Sequence, residues 1–228
     1  DGIRDIGVTG VQTCALPIYL SANNNKEWFD AHRSQYESDV KKPFRELVSA
    51  LIEKVCAVDS SLYCTAEQAV FRINRDIRFS KNKTPYKTNL AAAIGPGGRR
   101  GSPSFYIHVE PESMFVGGGV YSPSPEQIAD IRWYIMRHPE ALPTAVADPR
   151  FTSAFGDILG EKNKVMPPDF RDRALAVPYL SNKQWYFMRE SSIKELMKSK
   201  NQAVFLFDAF LASLPVNAVL RSALLNEM

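Results

Sequence analysis

The chain is short of the residues that build most compact catalytic and metal sites. It carries three cysteines and three histidines in 228 residues. Cys14, Cys56 and Cys64 form no CxxC pair and no disulfide framework. The expected compartment is therefore a reducing one, the cytoplasm, and a structural zinc site is not expected. No continuous apolar run approaches the ~20 residues that span a bilayer, so no membrane partner is expected. GxxxxGK(S/T), GxSxG, HExxH and GxGxxG are all missing. That removes the fingerprints of P-loop nucleotide binding, the nucleophile elbow, zinc peptidases and dinucleotide binding. There is no internal repeat, no low-complexity tract and no convincing linker. No cofactor is implied.

What the chain does have is positive charge in one place. Its net charge is only +3, yet residues 72–100 hold eight Arg or Lys against one Asp, a local +7. Residues 1–18 are net −1, which leaves the remainder at −3. Potential concentrated in this way suggests a site rather than a solubility device.

The opening residues read as something other than fold. "VTGVQTCALPI", Val8 to Ile18, resembles the translation of a sequencing-adapter oligonucleotide. Residues 1–18 are accordingly expected to be a leader derived from such an adapter. Residues 19–228 are expected to form a single domain.

The order of elements points to an α+β fold, an antiparallel sheet packed with helices. Apolar residues recur at Phe29, Tyr36, Val40, Phe44, Leu47, Leu51 and Val55, one face of a helix. Asn24 followed by Glu27 fits a capping box, and Pro43 should kink or split the helix. In "FRINRDIRFSKNKTPYKTN", Phe71, Ile73, Ile77 and Phe79 share one parity, while Arg72, Asn74, Asp76 and Arg78 share the other. That is the period of a half-buried strand. Arg75 breaks the rule by falling on the apolar parity: either a bulge re-aims it, or it is a partly buried arginine paired with Asp76, Glu110 or a ligand. "SKNKTPY" turns the chain, and "TNLAAAI" reads as a short helix or a second strand. "GPGGRRGSPS" reads as a flexible loop, in which Arg99→Ala or Arg100→Ala should cost less stability than Arg75→Ala. "FYIHVEPESMFVGGGVY" reads as a β-hairpin, and Gly117 to Gly119 mark a bulge or a close approach. A helix capped by Ser124 with Pro125 at its first position follows. Beyond a loop-rich stretch over residues 150–180 come a strand at "KQWYFMRES" and a helix along Ala203, Leu206, Phe207, Phe210, Leu211 and Leu214.

With "NNNKEWF", "FRINRDIRFSKNKTPYK", "YIHVEP" and "GGGVYSPSPEQIADIR" in view, residues 19–228 resemble the mainly bacterial family labelled domain of unknown function 2461. The resemblance implies no reaction, cofactor or partner, and it carries over no catalytic residue.

The candidate chemistry comes from the residues themselves. Arg72, Arg75, Arg78, Lys81, Lys83 and Lys87 supply forks and point charges suited to phosphate or carboxylate. Asn74, Ser80, Thr84, the turn N–H groups and Tyr86 could complete an anion nest. A plainer account is a solvated strand edge blunted by lysine against aggregation. Tyr106, His108 and Glu110 alternate onto one strand face. There His108 is the candidate proton carrier, with Asp76 and Glu110 as the acidic candidates. The plainer account of His108 is a satisfied ring on a wet sheet face. Asn24 and Trp28 could bring a helix N-terminus to the same anion, although three successive Asn mostly mean capping. Three functions compete: binding, and possibly turnover, of a small phosphorylated or anionic ligand; a nucleic-acid module stacking bases on Trp28, Tyr86 or Tyr106; and an interaction domain whose charges pair internally. The first is favoured, because Asp76 in the middle of the polar face repels a continuous phosphate backbone. Nothing in the sequence bears on oligomeric state.

Deleting residues 1–18 is expected to leave the melting temperature unchanged in a thermal scan. A loss of several degrees would make them part of the fold.

Overall fold

The computed structural model describes residues 20–225, so the expected adapter-derived leader, residues 1–18, lies outside the described residues. Among the described residues the fold is α+β, with ten α-helices and a four-stranded antiparallel sheet in the order β1-β2-β3-β4. The strands are β1 (Leu90–Ile94), β2 (Ser104–Val109), β3 (Ser113–Val120) and β4 (Trp185–Ser192). Neighbours in the sheet are neighbours in sequence, so it is a meander. β2 and β3 form the expected hairpin, and β1 settles the choice left open at "TNLAAAI". Chain contacts divide into two compact units. One comprises the stretch ending at Arg100 together with Tyr106–Phe115 and Glu190–Phe207. The other comprises Gly101–Phe105, Val116–Arg189 and the stretch from Asp208 onward.

In the first unit, α1 (Lys26–Ala31), α2 (Arg33–Tyr36), a π-helical turn (Glu37–Lys41) and α3 (Lys42–Val58) replace one long helix. The break falls at His32, between α1 and α2; from Arg33 to Val58 the backbone stays helical, and the π turn comes just before Pro43 in the first turn of α3. Proline has no N–H for the preceding turn, and the wider π turn absorbs the missing bond. The apolar stripe holds: Phe29, Tyr36, Val40, Phe44, Leu51 and Val55 are buried. The cap does not fall where the sequence suggests. Asn25, not Asn24, accepts from Trp28 N–H and starts α1; Asn24 is engaged elsewhere. After α3 come a 3₁₀ turn (Ser60–Leu62) and α4 (Ala66–Ala69), which a capping box of Thr65 and Gln68 closes.

Residues 71–79 are not the strand their alternation suggests. Only isolated bridges form, Val70 with Ala92 and Asn74 with Tyr86. The backbone bonds are Phe71 N–H to Ala91 O at 2.9 Å, Arg75 N–H to Pro85 O at 2.9 Å and Lys87 N–H to Ile73 O at 2.8 Å. Pro85 cannot donate back, and beyond Asp76 a local turn takes over, with the Arg78 N–H on the Asp76 carboxylate. The period of two survives nonetheless: Phe71, Ile73, Arg75 and Ile77 are half-buried, and Arg72, Asn74, Asp76 and Arg78 are exposed. Phe79 leaves the pattern, at 96% exposed. Arg99, in the glycine loop, donates to the carbonyls of Glu67, Gln68 and Val70.

The second unit has its own core, in which Ile131, Ile135, Phe151, Leu180, Trp185, Phe187, Val216 and Leu220 are all buried. α5 (Pro125–Arg137) begins as the sequence says, with Ser124 as the cap, Gln127 closing a capping box and Pro125 in the first turn. The loop-rich stretch contains the short helices α6 (Ala141–Val146), α7 (Pro149–Phe155) and α8 (Pro168–Arg171). Buried Arg132 donates to the Leu180 and Asn182 carbonyls at 3.2 and 2.8 Å, and burial lowers its pKa.

After β4 come α9 (Ile193–Lys198) and α10 (Gln202–Leu225). α10 is long and carries little charge. Only Asp208 and Arg221 are charged along its 24 residues, and by length and composition it is apolar enough to cross a membrane. Half of its most apolar stretch is buried within the protein.

The glycines of β3 serve the sheet, not a ligand. A Cβ on Gly117 would lie 2.1 Å from the Phe187 carbonyl oxygen, and one on Gly119, at φ +92°, would lie 2.2 Å from the Trp185 carbonyl oxygen. The close approach expected here is made by the β4 backbone. Gly117→Ala and Gly119→Ala are each expected to destabilise by roughly 3 kcal/mol or more, at or beyond the upper end of overpacking costs. Gly156→Ala has a strained backbone, φ +77° and ψ −83°, but nothing within 4 Å, and should lose about 1–3 kcal/mol. Urea unfolding of the three variants measures the difference.

Candidate functional site

The basic segment and the segment pairing with it enclose a cavity of about 590 Å³. Phe71, Arg75 and Asp76 line it from one segment, and Thr84, Tyr86, Lys87, Thr88 and Asn89 from the other. Ser21, Asn24, Asn82, Ala91 and Tyr106 complete the wall.

One side chain fixes this wall. In the antiparallel pairing, Asn74 and Tyr86 stand opposite each other without exchanging backbone bonds. The N–H and C=O of Tyr86 therefore point to the other side. Asn24 meets both with its side-chain amide: Nδ2 donates to Tyr86 O, and Oδ1 accepts from Tyr86 N–H, each at 3.0 Å. The amide takes the place of a neighbouring strand. The Tyr86 ring is buried and stacks on Phe29 at 4.2 Å.

The cations expected to act together separate into two sets. Arg78 makes a two-pronged bond to Asp76, at 3.0 and 2.6 Å. That bond holds the Asp76 carboxyl well below the usual range, at about 2. Asp76 is thus ionised near neutral pH and has no proton to give. Lys83 donates to the Ile77 carbonyl, and Lys81 is exposed. Neither Arg78, Lys81, Lys83 nor Ser80 lines the cavity. Arg75 and Lys87 do. Arg75 donates to Thr84 Oγ1 at 2.8 Å, and Thr84 Oγ1 donates in turn to Asn82 Oδ1 at 2.8 Å. Lys87 lies 5.3 Å from the centre of the Phe71 ring. Burial lowers its pKa, and repulsion from Arg72 and Arg75 lowers it further. Arg75 is half-buried as its parity predicts, but its hydrogen-bond partner is a hydroxyl, not Asp76 or Glu110.

Across the cavity, alternation along β2 buries Phe105 and Ile107 and leaves Tyr106 and His108 half-buried on the opposite face. Tyr106 Oη lies 3.0 Å from His108 Nδ1, and His108 Nε2 lies 2.9 Å from Glu110 Oε1. Asn89 Nδ2 approaches His108 Nδ1 at 3.4 Å. Phe115 sets its edge against the imidazole at 5.4 Å.

Trp28 stacks on His32 at 4.1 Å and does not line the cavity. The α1 N-terminus therefore does not bring it to the anion candidates. Burial pushes the Cys56 and Cys64 thiols up, which suits packing rather than reaction. Among the described residues no cluster of His, Cys, Asp or Glu is placed to hold a metal ion. Sequence reasoning missed Ser21, Asn82, Thr88 and Asn89. Asn82 and Asn89 lie within the basic motif, but only the pairing of that motif with itself turns them inward.

Comparison with known proteins gives one match. No curated protein and no solved structure matches the chain. The model of a family of conserved hypothetical proteins, DUF2461, matches residues 18–218, and the chain belongs to that family.

Proposed function

We propose that the protein binds a small phosphorylated or otherwise anionic ligand in the cavity walled by Arg75, Lys87, Thr84 and Tyr106. One observation carries this reading. Arg75 and Lys87 line the same cavity, Arg72 is near enough to depress Lys87 further, and none of the three has a carboxylate in a salt bridge among the described residues. Like charges are gathered against their mutual repulsion, and an anion would relieve it. A cavity of about 590 Å³ falls within the usual range for small-molecule sites. Arg75 offers a planar fork, Lys87 a point charge, and Thr84, Asn82 and Asn89 neutral polar groups to orient the ligand.

The nucleic-acid reading has less support. Arg78, Lys83 and Arg99 are engaged within the protein, Trp28 lies away from the cavity, and an ionised Asp76 stands in its wall. The internally paired reading accounts for Arg78, Lys83 and Arg99, but gives Arg75 a hydroxyl, Lys87 an aromatic face and Arg72 an attraction to Asp76, none of them a salt bridge. The cytoplasm remains the proposed compartment.

Inorganic phosphate or pyrophosphate is expected to raise the melting temperature in a concentration-dependent way. Arg75→Ala and Lys87→Met should weaken that response about tenfold or more, the loss of one charge-assisted bond. Arg100→Ala should leave it unchanged. Nanomolar binding of an oligonucleotide with a steep salt dependence, and no response to small anions, would transfer the site to nucleic acid.

The response should also depend on pH. The Lys87 pKa is lowered, so its charge is present at low pH and lost as pH rises, earlier than the ~10.4 of an ordinary lysine. Phosphate affinity is expected to fall through that alkaline window in the wild type. Lys87→Met should show no such fall. An identical alkaline decline in both proteins would remove Lys87 from the site.

A further inference from the structure

The three polar groups of the β2 face are arranged with a direction. A carboxylate only accepts hydrogen bonds, so the Glu110 oxygen 2.9 Å from His108 Nε2 places the ring hydrogen on Nε2. The neutral ring then presents a lone pair at Nδ1. Two donors converge there, the Tyr106 hydroxyl at 3.0 Å and the Asn89 amide nitrogen at 3.4 Å. An amide nitrogen can only donate, so Asn89 selects the same tautomer as Glu110 from the opposite end of the ring. The Phe115 edge holds the plane of the imidazole. The Tyr106 proton therefore points at His108. A phenol oxygen that donates keeps lone pairs with which to accept, and Tyr106 lines the cavity.

We infer that Tyr106 is the proton-accepting group of the cavity, backed by His108 and Glu110 as a relay, and that the ligand presents an O–H beside its anionic group. The step balances within the residues present. The ligand O–H bond breaks, and Tyr106 Oη takes that proton as its own passes to His108 Nδ1. The resulting imidazolium is held between Tyr106 and the Glu110 carboxylate. Tyr106 is the catalytic residue in this arrangement; His108 and Glu110 are positioning residues that act through it. Phosphomonoesters in their monoanionic form and hydroxylated acids share the required chemistry. Only the anionic part of this ligand class rests on the anion-binding reading; the relay stands on the geometry of β2.

Acetylation by N-acetylimidazole, followed residue by residue with peptide mass spectrometry, tests the relay without a known ligand. The acetyl carbon gains a bond to Tyr106 Oη and loses its bond to imidazole, while the phenol proton passes to His108 Nδ1. Tyr106 is expected to react at least about tenfold faster in the wild type than in His108→Asn, below the ~10²–10⁴ typical of general-base assistance. Glu110→Gln should fall between the two. The exposed Tyr63 and Tyr121 should react equally in all three proteins. Nitrogen-15 spectra should show the wild-type His108 as the Nε2–H tautomer, a preference weakened but kept in Glu110→Gln, where Asn89 still donates to Nδ1. Equal Tyr106 rates in the wild type and the variants, or an Nδ1–H tautomer in the wild type, would overturn the relay. Glu110→Gln, changed at a surface carboxylate, keeps the test decisive if His108→Asn does not fold. Inorganic phosphate provides the separate arm. Protection of Tyr106 by phosphate supports an anion in the cavity. Acetylation that depends on His108 but is untouched by phosphate supports the relay and removes the anion.

Discussion

The cavity depends on one amide. Asn24 answers both outward-facing backbone groups of Tyr86, which would otherwise need water or another strand. Orphaned inside the protein, each group would cost about 1–3 kcal/mol. With the amide in place, the Tyr86 ring packs on Phe29, and residues 87–89 turn into the cavity behind it. The bond also joins the start of the first helical stretch to a segment 62 residues later in the chain. Position along the sequence says nothing of this contact. Asn24 looks like a cap because it stands one residue before the cap.

The basic motif is a division of labour. Arg78 neutralises Asp76, Lys83 closes the turn on Ile77 O, and Arg99 gathers three carbonyls at the end of α4. These cations lie outside the cavity lining. Of the other cations, Arg75 and Lys87 line the cavity with no carboxylate in a salt bridge, and exposed Arg72 stands close enough to act on Lys87. Stability alone gives no reason to place a half-buried lysine beside two arginines, since burial and repulsion both act against its charged form. The anionic ligand proposed above would give such a reason. Across the cavity, Tyr106, His108, Asn89 and Glu110 form one connected set of polar contacts, from which the proton-accepting role of Tyr106 is inferred.

Elements with strong local chemistry were legible in the sequence. The Ser124–Pro125 helix start, the β2–β3 hairpin, β4 and the stripe from Phe29 to Val55 each follow from residue type and period, because capping, turn and burial preferences act over a few neighbours. The alternation through residues 71–77 was legible too, and it identified Arg75 as the half-buried arginine. The regular strand inferred from it was not there. Alternation reports which face is buried, whereas a ladder needs a partner able to bond back, and Pro85 is not one.

The sequence by itself determined that positive charge is concentrated in residues 72–100, that Tyr106, His108 and Glu110 share a strand face, and that the fold is α+β. Those properties depend on composition and on a period of two. Only the tertiary structure decided which cations are spent on internal partners and which face the cavity. It also decided that Asn24 is a strand surrogate, that the β3 glycines admit a backbone, and that Asn89 meets His108. Each of these is a contact between segments distant in sequence, and its geometry is set by how the segments pack rather than by what either segment prefers alone.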